Sequence, residues 1–325
     1  MAAPATPTFE QFFRRELLPE LETLDERRRK LAKQVLLAGG VLLAIVIIIE
    51  AWVAAHGGDI FWMSLPVFGA IIIAPSMFSF MTKRFGEDFK HTIIRPIAQF
   101  VSPDLEYYPA GRISQARFEA SGLFKRDCDR YRGEDRVQGR VGDTAIEFSE
   151  IHAEYKSRHT DSKGSTKTRW HTIFKGLFFI AEFNKHFSGT TFVLPDTAER
   201  LFGRFGQSLQ SLFGSHGELI KLENPEFERH FAVYASDQVE ARYILSPALM
   251  QRILDFKNKA DERIYLSFIR GEVNLGIASN KNRFEPRLFK SVKDIRLARQ
   301  YLDELQFALG IVDDLNLNTR IWTKT

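Results

Sequence analysis

Two long apolar runs dominate the first hundred residues of the chain. They are VLLAGGVLLAIVIIIEAWVAA, residues 35–55, and IFWMSLPVFGAIIIAPSMFSF, residues 60–80, and only HGGD separates them. Each run has the roughly 20 residues that a helix needs to cross about 30 Å of hydrocarbon. The pattern therefore predicts two transmembrane helices joined by a tight turn over residues 35–81.

Apolar positions spaced by three or four residues flank both runs. Thr8 and Gln11 have the spacing of a capping box, which predicts an amphipathic cytoplasmic helix within residues 1–34. A four-residue repeat after the second run predicts a juxtamembrane helix within residues 82–104, ended by SPDLEYYPAG. The apolar positions are Leu17, Leu21, Leu24, Leu31 and Val35 before the runs, and Phe85, Phe89, Ile93, Ile97 and Phe100 after them. Such a short stripe is more typical of packing on the same protein or on the bilayer surface than of self-association.

The segment FKGLFFIAEFNKHFSGTTFVLPD, residues 174–196, has a different pattern. Its longest apolar run, GLFFIA, is about a third of a membrane span. Alternate positions are apolar on both faces, which is typical of a central strand covered on both sides. KHFSG then predicts a turn and TTFVLP a second strand, and Asp196 with Glu199 has the spacing of a helix cap.

Short strands and helices alternate irregularly over residues 105–325. The predicted strands are DRVQGRVGDTAIEFSEIHAEYKSR, RWHTIFKGLFFIAEF, TTFVLP and HFAVYAS, with a hairpin in RIYLSFIRGEVNLGIAS that turns near Arg270 and Gly271. The predicted helices are AERLFGRFGQSLQSLF, SPALMQRILDFKN, and a last helix that begins at Ser291 and runs to about Leu309. This order predicts an α+β domain of mostly antiparallel sheet with interspersed helices.

Charge and cysteine content exclude several classes of protein. The net charge of +4 among 325 residues is too small for a dedicated nucleic-acid binder, so no nucleic-acid partner is expected. The one cysteine, Cys128, excludes an intrachain disulfide framework and a cysteine-rich zinc site, and it favours a reducing compartment. Basic residues lie beside the apolar runs, and none lies in the turn between them: Arg27, Arg28, Arg29, Lys30 and Lys33 precede, and Lys83, Arg84 and Lys90 follow. The positive-inside rule then predicts that both termini are cytoplasmic.

One charged residue, Glu50, lies within an apolar run. An acid inside the membrane is a candidate for a proton relay or a partner contact. Glu50 lies about one helical turn from the end of its run, however, so its carboxylate can also extend to the interface.

The polar sequence YASDQVEARYILSPALM, residues 234–250, contains the best candidates for catalysis. An acid–base cluster could form from Ser236, Asp237, Glu240 and Arg242. Asp237 and Glu240 also have the spacing of a helix N-terminus, and Ser246 before Pro247 has that of a second one, so capping explains most of these residue types. The histidines at 152, 159, 171 and 186 lack metal-ligand spacing, and no phosphate-binding or nucleophile motif is present; we expect no metal and no cofactor.

The segment YKSRHTDSKGSTKTRW, residues 155–170, is basic and has no aliphatic residue. The simplest interpretation is a solvated loop between two strands. The alternative is contact with the anionic surface of the adjacent membrane, where each charge contributes about 1 kcal/mol. Its five basic residues are Lys156, Arg158, Lys163, Lys167 and Arg169.

Four motifs behind a two-helix hairpin resemble a bacterial family, the domain of unknown function thirty-one thirty-seven. They are FKGLFFIAEFNKHFSGTTFVLPD, LENPEFERHFAVYASDQVEARYILSPALM, LSF and FEPRLF, and the similarity runs from about Leu105 to Trp322. The resemblance implies a bacterial inner-membrane protein with a cytoplasmic domain of undescribed activity, and it supplies no catalytic residues.

The sequence thus predicts a two-pass inner-membrane protein whose cytoplasmic domain is a binding or scaffold module. Its expected partners are the lipid bilayer, through the anionic membrane surface, and a protein partner or a second copy of the chain. The alternative is a membrane-tethered enzyme with a polar site near residues 236–242.

Overall fold

The chain forms two compact units in the computed structural model, which describes residues 8–57, 60–124, 126–160, 166–195 and 217–318. The first unit contains the described residues of the segment 1–100 together with Phe284–Leu302. The second contains the described residues of Val101–Arg283 and those from Asp303 onward. Lys163, the predicted helix of residues 198–213 and its Asp196–Glu199 cap lie outside the described residues. The predicted boundaries after residues 34, 81 and 104 stay predictions.

The first unit is built around a helical hairpin. Its helical segments are, in order, α1 (Phe9–Phe12), a π-helical turn (Phe13–Leu17), α2 (Leu18–Ala55), α3 (Ile60–Phe89), a second π-helical turn (Lys90–Ile94) and α4 (Arg95–Val101). The capping box predicted from Thr8 and Gln11 is present at the start of α1. Two stretches, Phe9–Ala55 and Phe61–Val101, are long and apolar enough to cross a membrane.

The apolar side chains of these stretches face outward where the two predicted runs lie. Leu37, Ile72 and Phe80 are 72, 70 and 85% exposed. Water would solvate such a surface poorly, whereas lipid tails match it. The two predicted membrane helices are therefore confirmed as helices of the right length, composition and exposure.

The ends of the hairpin away from the turn bury their apolar stripes. Leu17, Leu21 and Leu24 on one helix are almost inaccessible, as are Phe89 and Ile97 on the other. The rings of Phe12 and Phe100 stack with centroids 4.5 Å apart. The stripe before the first run thus lies on the same chain.

The second unit is organised by one nine-stranded sheet in the order β1-β2-β3-β4-β9-β8-β5-β7-β6. Its strands are β1 (Glu106–Tyr108), β2 (Arg130–Val141), β3 (Thr144–Thr160), β4 (Thr166–Glu182), β5 (Thr190–Pro195), β6 (Glu218–Ile220), β7 (Phe231–Ala235), β8 (Arg263–Ile269) and β9 (Glu272–Ala278). All the neighbouring pairs are antiparallel. The predicted α+β class with mostly antiparallel sheet is confirmed.

The apolar segment GLFFIA lies in β4, which pairs with β3 on one side and β9 on the other. Residues 176–181 are buried on both faces, as predicted for a central strand. Gly176 has φ +149°, and a Cβ atom there would lie 2.0 Å from the carbonyl oxygen of Ile277. Only glycine allows β9 to approach this closely. The hairpin formed by β8 and β9 turns at Arg270 and Gly271, as predicted, and both residues have positive φ.

The other helices are α5 (Gln115–Ala120), α6 (Pro225–His230), α7 (Gln238–Ile244), α8 (Pro247–Ala260) and α9 (Ile295–Asp314). The predicted start of the last helix at Ser291 is wrong by four residues, and its end lies beyond Leu309. Ser291 Oγ accepts from Lys293 N, and Asp294 Oδ1 accepts from Arg296 N. Asp294 therefore caps the helix, directly before its first residue, Ile295.

Candidate functional site

Strands β3 and β4 continue past the rest of the described sheet. β2 pairs with β3 only as far as Glu154, and β9 pairs with β4 only from Gly176 onward. We call the two-stranded extension formed by residues 155–160 and 166–171 the β3–β4 arm. Its pairs run from Tyr155↔His171 to Thr160↔Thr166. Residues 155–160 and 166–170 of the predicted solvated loop are thus strand, because the backbone ladder continues through polar residues.

Cations lie on both faces of the arm. Directly paired residues of an antiparallel ladder share a face, and successive residues alternate. Lys156 pairs with Trp170 and Arg158 with Thr168, whereas Arg169 pairs with Ser157 and Lys167 with His159. The four predicted membrane-surface cations within the described residues are therefore divided two and two, and all four are exposed.

Aromatic rings lie at the base of the arm. The guanidinium of Arg130 lies 3.8 Å from the centroid of the Trp170 ring, and that of Arg126 lies 4.4 Å from the Tyr155 ring. Trp170 remains 40% exposed. Exposed tryptophan beside cations is typical of side chains at a membrane–water interface.

Acidic neighbours neutralise only part of this charge. Asp129 forms an ion pair with Lys156 at 3.5 Å and accepts from its backbone nitrogen at 2.8 Å. That backbone hydrogen bond holds the pKa of Asp129 below its ordinary value. Glu154 accepts from Arg132 at 2.7 Å. The charge of Lys156, at the base of the arm, is therefore partly neutralised.

The polar candidates near residue 240 make hydrogen bonds to backbone. Asp237 caps α7 by accepting from Val239 N and Glu240 N, and Ser246 caps α8, as predicted. Ser236 Oγ accepts from Thr190 N at 2.9 Å.

Two further members of this group have similar roles. Glu240 accepts from Ser188 N at 2.8 Å and Gly189 N at 2.7 Å, and the bond from Ser188 helps to lower its pKa. Arg242 donates to the Lys221 carbonyl oxygen at 3.4 Å. All four catalytic candidates thus hold the β4–β5 turn, α7 or the chain before α6 in place.

A cleft of about 850 Å³ opens beside Glu240. Glu240 shares it with His186 and Glu182, so it contains the histidine and second acid that a catalytic site would need. The other lining residues are Arg140, Phe183, Asn184, Lys185, Phe187, Ser188, Arg270, Gly271 and Glu272. Lys185 donates to the carbonyl oxygens of Tyr243 and Ile244, and burial lowers its pKa. Sequence reasoning missed this cleft because its residues come from separate turns and strand ends.

Within the described residues, three acidic side chains of the second unit are arranged closely enough to hold a metal ion. Carboxylate oxygens of Glu134, Asp135 and Glu150 lie within 4.8 Å of one another. Tyr107 Oη donates to Asp135, and Arg283 N donates to Glu150 at 2.7 Å. Burial, reinforced by the neighbouring acids, raises the pKa of Glu150 to about 7. Hydrogen bonds and protonation are sufficient to explain the cluster, so we assign it no metal.

Two single residues complete the set of candidates. The Cys128 thiol donates to the Arg130 carbonyl oxygen, and burial raises its pKa, which disfavours the reactive thiolate. Glu50 is half-buried in α2, and its Oε1 is shielded from solvent with no hydrogen-bond partner among the described residues. Its predicted roles, interfacial extension or a functional intramembrane acid, stay predictions.

The fold defines a chain with two candidate membrane helices and an α+β domain, and a family model matches part of that domain. Residues 172–317 match the family model described as "Protein of unknown function (DUF3137)". The match confirms the resemblance over all four of its motifs. It leaves residues 105–171 and 318–322 of the predicted similarity outside.

The comparisons add little about activity. No curated protein matches the chain. Among solved structures, the chain is similar to the mycobacterial trehalose monomycolate transport factor A, TtfA, with 11% identity over 66% of this chain and 93% of that one. The TM-score of 0.31 establishes neither a shared fold nor a shared role.

Proposed function

We propose that the chain is a two-pass protein of a bacterial inner membrane, with both termini in the cytoplasm, and that its sheet domain binds anionic headgroups through the β3–β4 arm. The two exposed apolar helices support the anchoring. The basic residues beside the apolar runs support the orientation, because lysine and arginine are retained on the cytoplasmic side.

The observation that carries the binding proposal is the composition of the arm. Lys156, Arg158, Lys167 and Arg169 extend into solvent from both faces, and Trp170 is exposed beside them. Each cation near an anionic leaflet contributes about 1 kcal/mol, so four or five of them are enough for a tethered domain, which already has a high local concentration at the membrane. The arm can present both sets of cations if it meets the surface edge-on or tip-first.

A protein partner is the competing occupant of the arm, because an acidic protein surface would attract the same cations. Recovery of one specific protein with the intact chain from detergent extract would favour this alternative, provided that recovery depends on the arm residues and lipid binding does not.

A membrane-tethered enzyme is the second candidate function, and the cleft shared by Glu240, His186 and Glu182 is the observation in its favour. The backbone hydrogen bonds made by Glu240 count against it, since a side chain held by two amide groups is a poor proton carrier. Loss of an activity in His186→Ala without loss of stability would support the enzyme.

The proposed binding can be tested with the intact chain in discs of neutral lipid mixed with anionic phosphatidylglycerol vesicles. We expect the discs to float with the vesicles, and a variant with Lys156, Arg158, Lys163, Lys167 and Arg169 changed to Gln to lose most of that association. The matched control changes five exposed cations elsewhere in the second unit to Gln: Lys221, Arg229, Arg263, Arg270 and Lys281. Equal loss in both variants would show a general charge effect and would refute a specific role for the arm.

A further inference from the structure

A tight turn in the first unit holds a large apolar side chain in solvent. Lys290 N donates to the Arg287 carbonyl oxygen at 3.0 Å, which closes a turn with Leu288 and Phe289 at its corners. Leu288 is buried at 6% exposure, whereas Phe289 is 61% exposed. The turn therefore has an inner apolar corner and an outer one.

Hydrogen bonds and ion pairs to the helical hairpin fix the position of this turn. Arg28 Nη1 donates to the Leu288 carbonyl oxygen at 2.8 Å. Asp25 Oδ1 accepts from Val292 N at 3.2 Å, just after the turn. Just before it, Glu285 pairs with the buried Lys90 at 3.0 Å. The exposure of Phe289 thus follows from an ordered backbone held on both sides.

The same contacts place the turn close to the predicted end of the hydrocarbon. Arg28 precedes Val35, the first residue of the first apolar run, by seven positions, which is roughly 10 Å along a helix. The headgroup layer extends about 5–7 Å beyond the hydrocarbon core, and a phenylalanine side chain adds comparable reach. A side chain at the height of Arg28 can therefore enter the headgroup region.

The charges around the turn match an anionic surface. Arg287 and Lys290 lie on either side of the two corner residues and are exposed, and Lys293 follows. Arg28, Arg29 and Asp25 on the adjacent helix form one ion-pair cluster with a net charge of +1. Aromatic residues beside lysine and arginine are favoured at the headgroup level.

We propose that the Arg287–Lys290 turn is a second membrane contact, in which Phe289 inserts among anionic lipid headgroups and Arg287, Lys290 and Lys293 pair with their phosphates. The inference rests on the proposed anchoring by the two apolar helices and is independent of the β3–β4 arm. The FEPRLF motif lies outside the sheet, and this proposal gives it a role in contact with the membrane.

Photocrosslinking of the full chain in lipid discs tests this contact. The photoreactive amino acid p-benzoylphenylalanine replaces Phe289 in one variant, Phe80 in a second and Val239 in a third. Phe80 is 85% exposed within an apolar run, and Val239 is 76% exposed in the second unit. Lipid adducts are quantified by mass spectrometry in discs of phosphatidylcholine alone and of phosphatidylcholine with phosphatidylglycerol.

We expect several-fold more phosphatidylglycerol adduct at position 289 than at 239, and a drop toward the 239 level when Arg287, Lys290 and Lys293 are changed to Gln. Changing the five arm cations should leave the adduct at 289 unchanged. If position 80 forms adducts but 289 forms no more than 239, the turn proposal is overturned and the arm proposal stands. If position 80 forms no adduct, the anchoring fails and both proposals fail with it.

Discussion

The guanidinium of Arg28 donates a hydrogen bond of 2.8 Å to the carbonyl oxygen of Leu288, a residue 260 positions later in the chain. Arg28 also pairs at 2.8 Å with Asp25, and the two side chains are only 9% and 3% exposed. Asp25 in turn accepts from Val292 N. This buried ion pair therefore provides hydrogen-bond partners for backbone groups in and just after the Arg287–Lys290 turn.

We expect Asp25→Asn to destabilise the first unit by about 3–5 kcal/mol, because it leaves the Arg28 charge buried without its partner. Urea denaturation of the full chain in detergent measures the loss, and faster amide hydrogen exchange over residues 284–292 locates it. Arg29→Gln is the matched control. Arg29 pairs with the same carboxylate at 2.9 Å but is 64% exposed, so its loss should cost less than about 1 kcal/mol. An equal loss of stability in the two variants would contradict the claim that the buried Asp25–Arg28 pair stabilises the first unit.

Glu150 gives the second unit a defined pH dependence. Its pKa rises from the ordinary 4.5 to about 7, so the folded chain holds more protons than the unfolded chain between those values. Its contribution to stability therefore falls as pH rises through this window and is constant above it. Glu150→Gln keeps an oxygen for Arg283 N, and we expect it to exceed the native chain in stability above pH 7 by at most about 3 kcal/mol. The difference should disappear below pH 4.5. If chemical denaturation gives the same difference in free energy of unfolding between the variant and the native chain across pH 4–8, titration of Glu150 is not its cause.

The glycine within the central strand should tolerate substitution far less than the glycine of the hairpin turn. A Cβ atom at Gly176 would overlap the Ile277 carbonyl oxygen, whereas one at Gly271 would meet nothing within 4 Å. Both residues have positive φ, so the turn variant reports backbone strain alone. We expect Gly271→Ala to cost about 1 kcal/mol and Gly176→Ala about 3 kcal/mol or more. Similar denaturation midpoints for the two variants would show that β9 can move away from β4 at little cost.

The sequence predicts the parts of this fold that have a local pattern. The long apolar runs predict the hairpin, two-sided apolarity predicts the central position of β4, and residue spacing predicts the caps at Asp237 and Ser246. The turn at Arg270 and Gly271 follows in the same way from glycine after a strand. In each case the residues that determine the element lie within it.

Features that depend on distant residues have no such pattern. Nothing near Leu288 indicates that its carbonyl oxygen accepts from Arg28, which lies 260 positions earlier in the chain. The β3–β4 arm extends further than predicted because a solvated ribbon needs no apolar alternation. The cleft beside Glu240 joins turns and strand ends that only the complete sheet brings together.

The approach of the β3–β4 arm to the bilayer tests the central claim most directly. A nitroxide label replaces exposed Thr168 in a chain whose Cys128 is changed to Ser, and its relaxation by nickel-chelating lipids reports proximity to the headgroups. We predict close approach in phosphatidylglycerol discs at physiological salt, and loss of it in neutral discs, in the five-residue Gln variant and at about 1 M salt, where the screening length falls to about 3 Å. The same relaxation in neutral and anionic discs, unaffected by the variant, would contradict recognition of anionic lipid by the arm.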